Sequence, residues 1–334
     1  MQPTVSIIIP CYNEQATIGA LLAAIQGQSY PADKLEIVIA DGFSEDGTRA
    51  EVARFQRDHP SVRAKVVDNH KRTIPSGLNQ AIRESSGQIL VRLDAHSIPI
   101  PEYVERCVQA LETGRGANVG GVWQIVPGGK GALAAAIAAA AAHPLGAGDA
   151  LYRLGGQARA VDTVPFGAFR RDLVESVGPF DEDLLTNEDY EFNYRLRRRG
   201  NVVWMDPEIR STYVSRSTLQ ELARQYWRYG FWKYRMLLRY PESIRWRQAL
   251  PPLFILVLLG TAAAAAVWPQ VVIGLALVVL VYLSALLLAG VDLARRHRNA
   301  MIAPLAVPVL ATMHFSWGLG FLWSVLLGRT RANG

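Results

Sequence analysis

No Asp, Glu, Lys or Arg occurs between residues 251 and 290, and a second uncharged stretch runs from Asn299 to Gly328. A helix on the surface of a soluble domain keeps charge on its outer face, so neither stretch reads as a soluble helix. A spanning helix needs ~20 apolar residues. The first stretch holds two, at about 250 to 268 and 271 to 290, with Trp268-Pro269-Gln270 as the turn between them. The second, which contains Pro304, Pro308 and His314, reads as one span, with a broken or re-entrant pair as the alternative. Whole-chain composition agrees: 50% of the 334 residues are hydrophobic, 19% are charged and the mean hydropathy is +0.11, more apolar than a purely soluble enzyme.

Charge sets the expected orientation. Asp292 to Arg298 carries Arg295, Arg296 and Arg298, and the segment before the first span is also basic. By the positive-inside rule both face the cytoplasm. The tail, with Arg329 and Arg331, is basic too, which argues for a fourth crossing or a re-entrant loop. Met1 to Pro10 has no basic n-region followed by a long apolar run, so no signal peptide is expected. Cys11 and Cys107 show no CxxC spacing and suit a reducing compartment, with structural roles.

Upstream, residues 1 to about 245 alternate short apolar runs with amphipathic segments, as a parallel α/β sheet does. Strands are expected at Val5 to Pro10, Leu35 to Ala40, Arg63 to Val67 and Gln88 to Leu93. Helices are expected at Glu14 to Gln28, Asp46 to Asp58 and Ser76 to Glu84. In open α/β sheets ligands bind beyond the carboxyl ends of the strands. Those ends read Pro10-Cys11-Tyr12-Asn13-Glu14, Asp41-Gly42-Phe43-Ser44-Glu45-Asp46-Gly47-Thr48 and Asp94-Ala95-His96, three acidic clusters on one edge. Neither GxGxxG after the first strand nor GxxxxGK[ST] anywhere is present, which removes dinucleotide and Walker-type readings. Acidic strand ends suit hydrogen bonding to a base and ribose, and holding a divalent cation beside a diphosphate.

PCYNE, DGFSEDGT, LDAH and NEDYE, in that order, resemble the motifs of the inverting family 2 glycosyltransferases, over roughly residues 4 to 235. The stretch from Val161 to Gly200, with QYWRYGFWK after it and apolar spans beyond, is similar to the ExoA-type glucosyltransferases of succinoglycan assembly. The resemblance implies a GT-A fold, a Rossmann-like nucleotide-sugar-binding α/β domain, here followed by a helical transmembrane region. It also implies a nucleotide-diphosphate sugar donor and a divalent cation.

Carried over by position, Pro10, Tyr12 and Glu14 line the nucleotide pocket, and Asp41, with Ser44 beside it, meets the base or ribose. Asn69 and Arg72 fall where the nucleotide or its phosphates are contacted. Asp94 and His96 take the place of the family's DxD. The second position is His rather than Asp, which tilts the metal toward Mn2+ over Mg2+, because imidazole is a poor Mg2+ ligand. A structural His96 with no metal is the alternative.

Asp189 stands at the family's ED position as the candidate general base. Glu188 is next to it on a helix start, diverging by ~100°, so it orients the acceptor or a neighbour. Gln225 and Arg228 lie in an element similar to QxxRW, where Arg228 steadies the diphosphate. Tyr229 replaces the Trp, which points to single transfer rather than polymerisation.

From Arg195 to Arg247 there are 13 Lys or Arg against four Asp or Glu, a local balance of +9 in a chain of net charge +6. On a helix from Thr218 to Tyr240, opened by a Thr218/Glu221 capping box, Arg224, Arg228, Arg235 and Arg239 fall within roughly 60° of one another. Aromatic residues accompany them, so anionic lipid headgroups or a lipid diphosphate are expected partners and nucleic acid is not. Arg195 and Arg197 to Arg199 read as a solvated charged face.

The expected organisation is a glycosyltransferase domain over 1–215, a basic interfacial helix region over 216–247, about three membrane helices over 248–328 and a tail over 329–334. The expected activity is transfer of one sugar, glucose from UDP-glucose, to a polyprenyl-diphosphate-linked saccharide. The expected place is a bacterial-type inner membrane, with the enzyme domain in the cytoplasm. The alternatives are a polyprenyl-phosphate sugar transferase and a non-catalytic membrane adaptor with a nucleotide-sugar fold.

Overall fold

A computed structural model describes residues 2–328; the basic tail with Arg329 and Arg331 lies outside the described residues. In chain order the elements begin β1 (Val5–Cys11), α1 (Ile18–Gln26), β2 (Leu35–Asp41), α2 (Thr48–Asp58), β3 (Arg63–Asp68), α3 (Ile74–Glu84) and β4 (Ile89–Arg92). They continue with β5 (Ser97–Pro99), α4 (Tyr103–Glu112), β6 (Asn118–Val126), α5 (Ala132–Ala141), α6 (Pro144–Ala147), α7 (Leu151–Leu154), β7 (Arg159–Ala160), β8 (Ala168–Arg170) and α8 (Arg171–Val177). Then come α9 (Glu188–Arg198), β9 (Val203–Val214), α10 (Leu219–Arg239), α11 (Trp246–Val267), α12 (Val271–Arg296) and α13 (Ile302–Gly328).

Two compact units result: one contains residues up to Gln124 together with Leu151–Tyr213, the other Ile125–Ala150 together with Val214 onward. The first unit is built on a sheet of order β3-β2-β1-β4-β8-β6-β9-β5, with β7 on β9. Its β3-β2-β1-β4 half is parallel, as expected, and this brings the ends of β1, β2 and β4 side by side. Beyond β4, β8 runs antiparallel to both β4 and β6, and β5 and β7 run antiparallel to β9, so the sheet is mixed rather than parallel throughout. The strands show why. All seven residues of β1 are buried, as covering on both faces requires, whereas β9 alternates buried and more exposed residues like a strand covered on one face.

Alternation along the strands feeds two cores. Ile7, Ile9, Ile37 and Ile39 pack with Leu21, Val52 and Tyr103 on one face, while Ile8, Val38 and Leu90 pack with Leu78, Phe169 and Phe192 on the other. The first helix starts at Ile18 rather than Glu14, and the amides of Glu14 and Gln15 are taken by Thr48 and Asp46 of the next loop.

In the second unit α10 opens with the expected capping box, both halves of it formed by Thr218 and Glu221. Three helices, α11, α12 and α13, are long and apolar enough to cross a membrane. The turn between the first two falls at Trp268-Pro269-Gln270, and α13 runs through Pro308 unbroken rather than as a re-entrant pair. The Ala-rich α5 packs with α13. Its short side chains offer a smooth apolar surface, burying Ala136, Ile137, Ala139 and Ala140.

Candidate active site

The first two strand ends are laced together by backbone polarity. Asn13 takes a left-handed conformation (φ 54°) at the end of β1. Its amide donates to Ser44 Oγ (2.8 Å) and its side-chain oxygen accepts from the Glu45 amide (2.8 Å). Asp41, 1% exposed, accepts from Ser44 N (3.1 Å), Ser44 Oγ (2.5 Å) and Arg49 Nε (2.5 Å); Arg49 reaches on to Asp68 at 2.6 Å. The carboxylate is thus fixed before any ligand arrives. Gly42 follows because a Cβ there would press on the Tyr12 ring (3.3 Å) and the Arg72 backbone (3.4 Å). Tyr12 is exposed, and Arg72 reaches over the Phe43 ring and to Glu45.

Two residues expected at the pocket do other work. Pro10 is buried beside Gly77, and Asn69 is buried with its amide spent inside its own loop, accepting from Ser76 Oγ (2.8 Å) and donating to the Thr73 carbonyl (2.9 Å). Both shape the loop that carries Arg72.

The third strand end turns sharply, with Ser97 N and Oγ both donating to the Asp94 carbonyl (2.9 and 2.7 Å). His96 Nδ1 lies 3.0 Å from Glu14 Oε1, and Thr17 Oγ1 donates to Glu14 Oε2 (2.5 Å). Burial alone would raise the Glu14 carboxyl; the His96 and Thr17 hydrogen bonds outweigh it and hold the group below the usual glutamate range.

Arg92 joins this end to NEDYE. It is 5% exposed, its Nε and Nη2 donate to Asp94 Oδ1 (3.2 and 3.1 Å), and Nη2 also donates to Glu188 Oε1 (2.7 Å). Burial opposes its charge, and the carboxylates of Asp94, Glu188 and Asp189 more than restore it. Glu188 and Asp189 begin α9 behind a left-handed Asn187 (φ 70°), where the helix dipole favours negative charge. Burial pushes both carboxyls above the ordinary range, with Arg92 pulling the other way. Glu188 is buried on Arg92, while Asp189, half-buried, accepts its neighbour's amide, Tyr190 N, at 2.7 Å. The adjacent carboxyls therefore engage different partners, as their divergence on a helix requires.

Arg195, read as solvated, is a clamp. It pairs with the fully buried Glu191 and donates to the carbonyls of Val177, Gly178 and Pro179, closing the loop after α8. Gln225 and Arg228 belong to the second unit: Gln225 Nε2 donates to Tyr229 Oη (2.9 Å), and Arg228 is exposed on α10. Among the described residues no group of three or more His, Cys, Asp or Glu is placed to hold a metal ion by itself. Arg92 and Arg49 were absent from the sequence reading. The available signal for Arg92 was a lone charge in the otherwise apolar β4 run, which burial obliges to find a carboxylate.

The sequence model described as Glycosyl transferase family 2 matches residues 6–178. The chain belongs to that family. Succinoglycan biosynthesis protein ExoA of Rhizobium meliloti (strain 1021) is 33% identical to this glycosyltransferase over 325 residues, covering 96% of this chain and 94% of the relative. A dolichyl N-acetyl-alpha-D-glucosaminyl phosphate 3-beta-D-2,3-diacetamido-2,3-dideoxy-beta-D-glucuronosyltransferase of Methanococcus voltae is 26% identical, covering 98% of each chain. The solved mannosyltransferase PcManGT of Pyrobaculum calidifontis, in complex with GDP-Man and Mn2+, shares the fold. Its TM-score is 0.63 at 22% identity, and the match covers 97% of this chain and 88% of that one. The first unit is thus a GT-A domain with a mixed sheet, in a chain whose C-terminal helices suggest membrane association.

Proposed function

We propose that this family 2 member is a membrane-anchored, inverting enzyme of exopolysaccharide assembly. It moves one sugar, glucose from UDP-glucose, to a polyprenyl-diphosphate-linked saccharide at the cytoplasmic face. The observation that carries the reading is Arg92, whose guanidinium gathers Asp94 of LDAH and Glu188 of NEDYE, with Asp189 beside them. A relative named for succinoglycan biosynthesis and another named for a dolichyl-linked acceptor support the acceptor class.

In this mechanism Asp41, held by Ser44 and Arg49, accepts from the uracil or ribose, Tyr12 covers the nucleoside and Arg72 meets the phosphates. Asp189 takes the proton of the acceptor hydroxyl as that oxygen attacks the anomeric carbon opposite the departing diphosphate, which inverts the centre. Its raised carboxyl pKa strengthens it as a base. Glu188, through Arg92, positions Asp94. Gln225 and Arg228 serve the acceptor and diphosphate.

Asp94 and His96 fit a divalent cation, Mn2+ in preference to Mg2+. The Glu14 contact keeps the imidazole proton on Nδ1, as the outer carboxylate of a ligating histidine does. A cation held by Asp94 and His96 would supply neutralisation of charge on the leaving diphosphate.

The test is a screen of purified full-length protein with radiolabelled nucleotide sugars over lipid extract. Label from UDP-glucose should enter the lipid fraction with Mn2+ present. No turnover with any donor, together with no UDP binding in calorimetry, would leave a non-catalytic adaptor instead.

A further inference from the structure

We propose that the α11–α12 hairpin alone crosses the membrane. In this arrangement α13 and α10 lie together on the cytoplasmic leaflet, and α10 presents an arginine and aromatic face to anionic headgroups. The inference rests on the membrane-anchored reading above and departs from the three crossings that helix length allows.

The first observation is that α10 and α13 are inseparable. Tyr229 meets Trp317 (ring centroids 6.5 Å) and Tyr234 meets Phe321 (5.4 Å), so the helices run side by side in the same direction. A Cβ at Gly230 would collide with the Trp317 carbonyl, and one at Gly320 with that of Trp227. Such backbone-to-backbone approach leaves no room for lipid, so wherever α13 goes α10 goes.

The second is what α10 carries. Its face toward the packing is Leu222, Tyr226, Gly230, Lys233 and Met236. Nearly opposite stand Arg224, Arg228 and Arg239, all exposed, with Arg235, flanked by Trp227 and Leu238. This helix of 21 residues is ~30 Å long, the thickness of the hydrocarbon core. A crossing α13 would hold the arginine row in lipid, where a charged side chain is strongly disfavoured. On the surface the same row and its aromatic neighbours suit headgroups.

The third is a loop at an impossible depth. His314 Nε2 lies 2.7 Å from the Leu145 carbonyl, and His314 is roughly 18 Å along α13 from Ile302. If α13 crossed, exposed Leu145 of the short α6 and the turn after it, whose Asp149 pairs with Arg247, would sit near mid-bilayer, where lipid-exposed irregular backbone is not tolerated. By contrast Leu256, Leu259, Ile273, Leu277, Leu280 and Leu288 of the hairpin are all exposed, as lipid-facing residues are. Two crossings also leave Arg245 and Arg247 on the same side as Arg295, Arg296 and Arg298, as the positive-inside rule asks.

The test labels variants of the full chain that each carry one added cysteine, Gln270→Cys and Gly334→Cys, with a membrane-impermeant maleimide in intact and permeabilised cells. The parent, whose Cys11 and Cys107 are buried, sets the background. Gln270→Cys should react in intact cells and Gly334→Cys only after permeabilisation. Labelling of both in intact cells would establish a crossing α13 and overturn the inference while leaving the anchor in place. Labelling of neither would overturn the hairpin crossing and the anchor together. A fluorophore on Arg224→Cys in proteoliposomes should be quenched by headgroup spin labels more strongly with phosphatidylglycerol than with phosphatidylcholine alone, and less in high salt. Indifference to lipid charge would overturn the headgroup contact.

Discussion

The two units handle charge in opposite ways. In the first, charge is taken inside: Arg92 is buried between Asp94 and Glu188, and Glu191 is fully buried under Arg195. In the second, long uncharged helices carry their charges at the ends, and α10 keeps its arginines on the outer face. Even the buried Lys233 serves as a clamp there, donating from Nζ to the Ser243 carbonyl at 3.1 Å to close the turn after α10. Burial makes charge strong and costly, and the first unit uses that strength to hold carboxylates in place for chemistry. The second keeps charge away from its long apolar helices, as a lipid solvent would require.

Breaking the buried pair should have the largest effect on the protein itself. Arg92→Met leaves Glu188 and Asp94 without their cation, and should cost ~3–5 kcal/mol of stability in denaturant unfolding together with nearly all turnover. Arg92→Lys, which keeps the charge but not the fork, should recover part of the stability. Unchanged unfolding in Arg92→Met would end the contrast between the units.

Asp189→Asn sharpens the chemical side. Turnover should fall by ~10²–10⁴ while UDP affinity is kept, as initial rates and calorimetry would record. Full retained rate would instead favour a lipid phosphate acceptor, which needs little deprotonation. The same residue sets an acid limb. A base works deprotonated, and burial raises this carboxyl, so kcat/KM should be lost as pH falls through a value above the ~3.9 of an ordinary aspartate. In Asp189→Asn that limb should vanish.

A smaller effect is expected one contact away from the motif. Glu14→Gln loosens His96 and should weaken Mn2+ binding in the presence of UDP by ~10–100-fold, with little change in stability. Unaltered Mn2+ affinity would argue that His96 is not a ligand. Least of all, Thr218→Ala removes one half of the α10 capping box and should lower stability by ~1 kcal/mol in thermal unfolding, without altering UDP affinity.

The motif residues could be named from spacing and resemblance because each is an acid beside a turn, Asp41 and Asp94 at strand ends and Asp189 at a helix start. The jobs of Asn69 and Pro10 were not legible, since burial and partners decide whether an amide faces a ligand or its own loop. Arg195 read as solvated for the same reason. The antiparallel strands escaped notice because β5, β7 and β8 are two or three residues long, too short for a period to register.

Sequence alone established that the chain has an apolar helical region, where the α11–α12 turn falls, and that Thr218 caps α10. Those are local matters of composition, turn chemistry and capping. Only the tertiary structure decided that Arg92 ties LDAH to NEDYE across 96 residues of chain, and that α13 is bound to α10 and to the loop after α5. The physical reason is that pairing of buried charge and close helix contact are properties of neighbours in space, and a sequence states only neighbours along the chain.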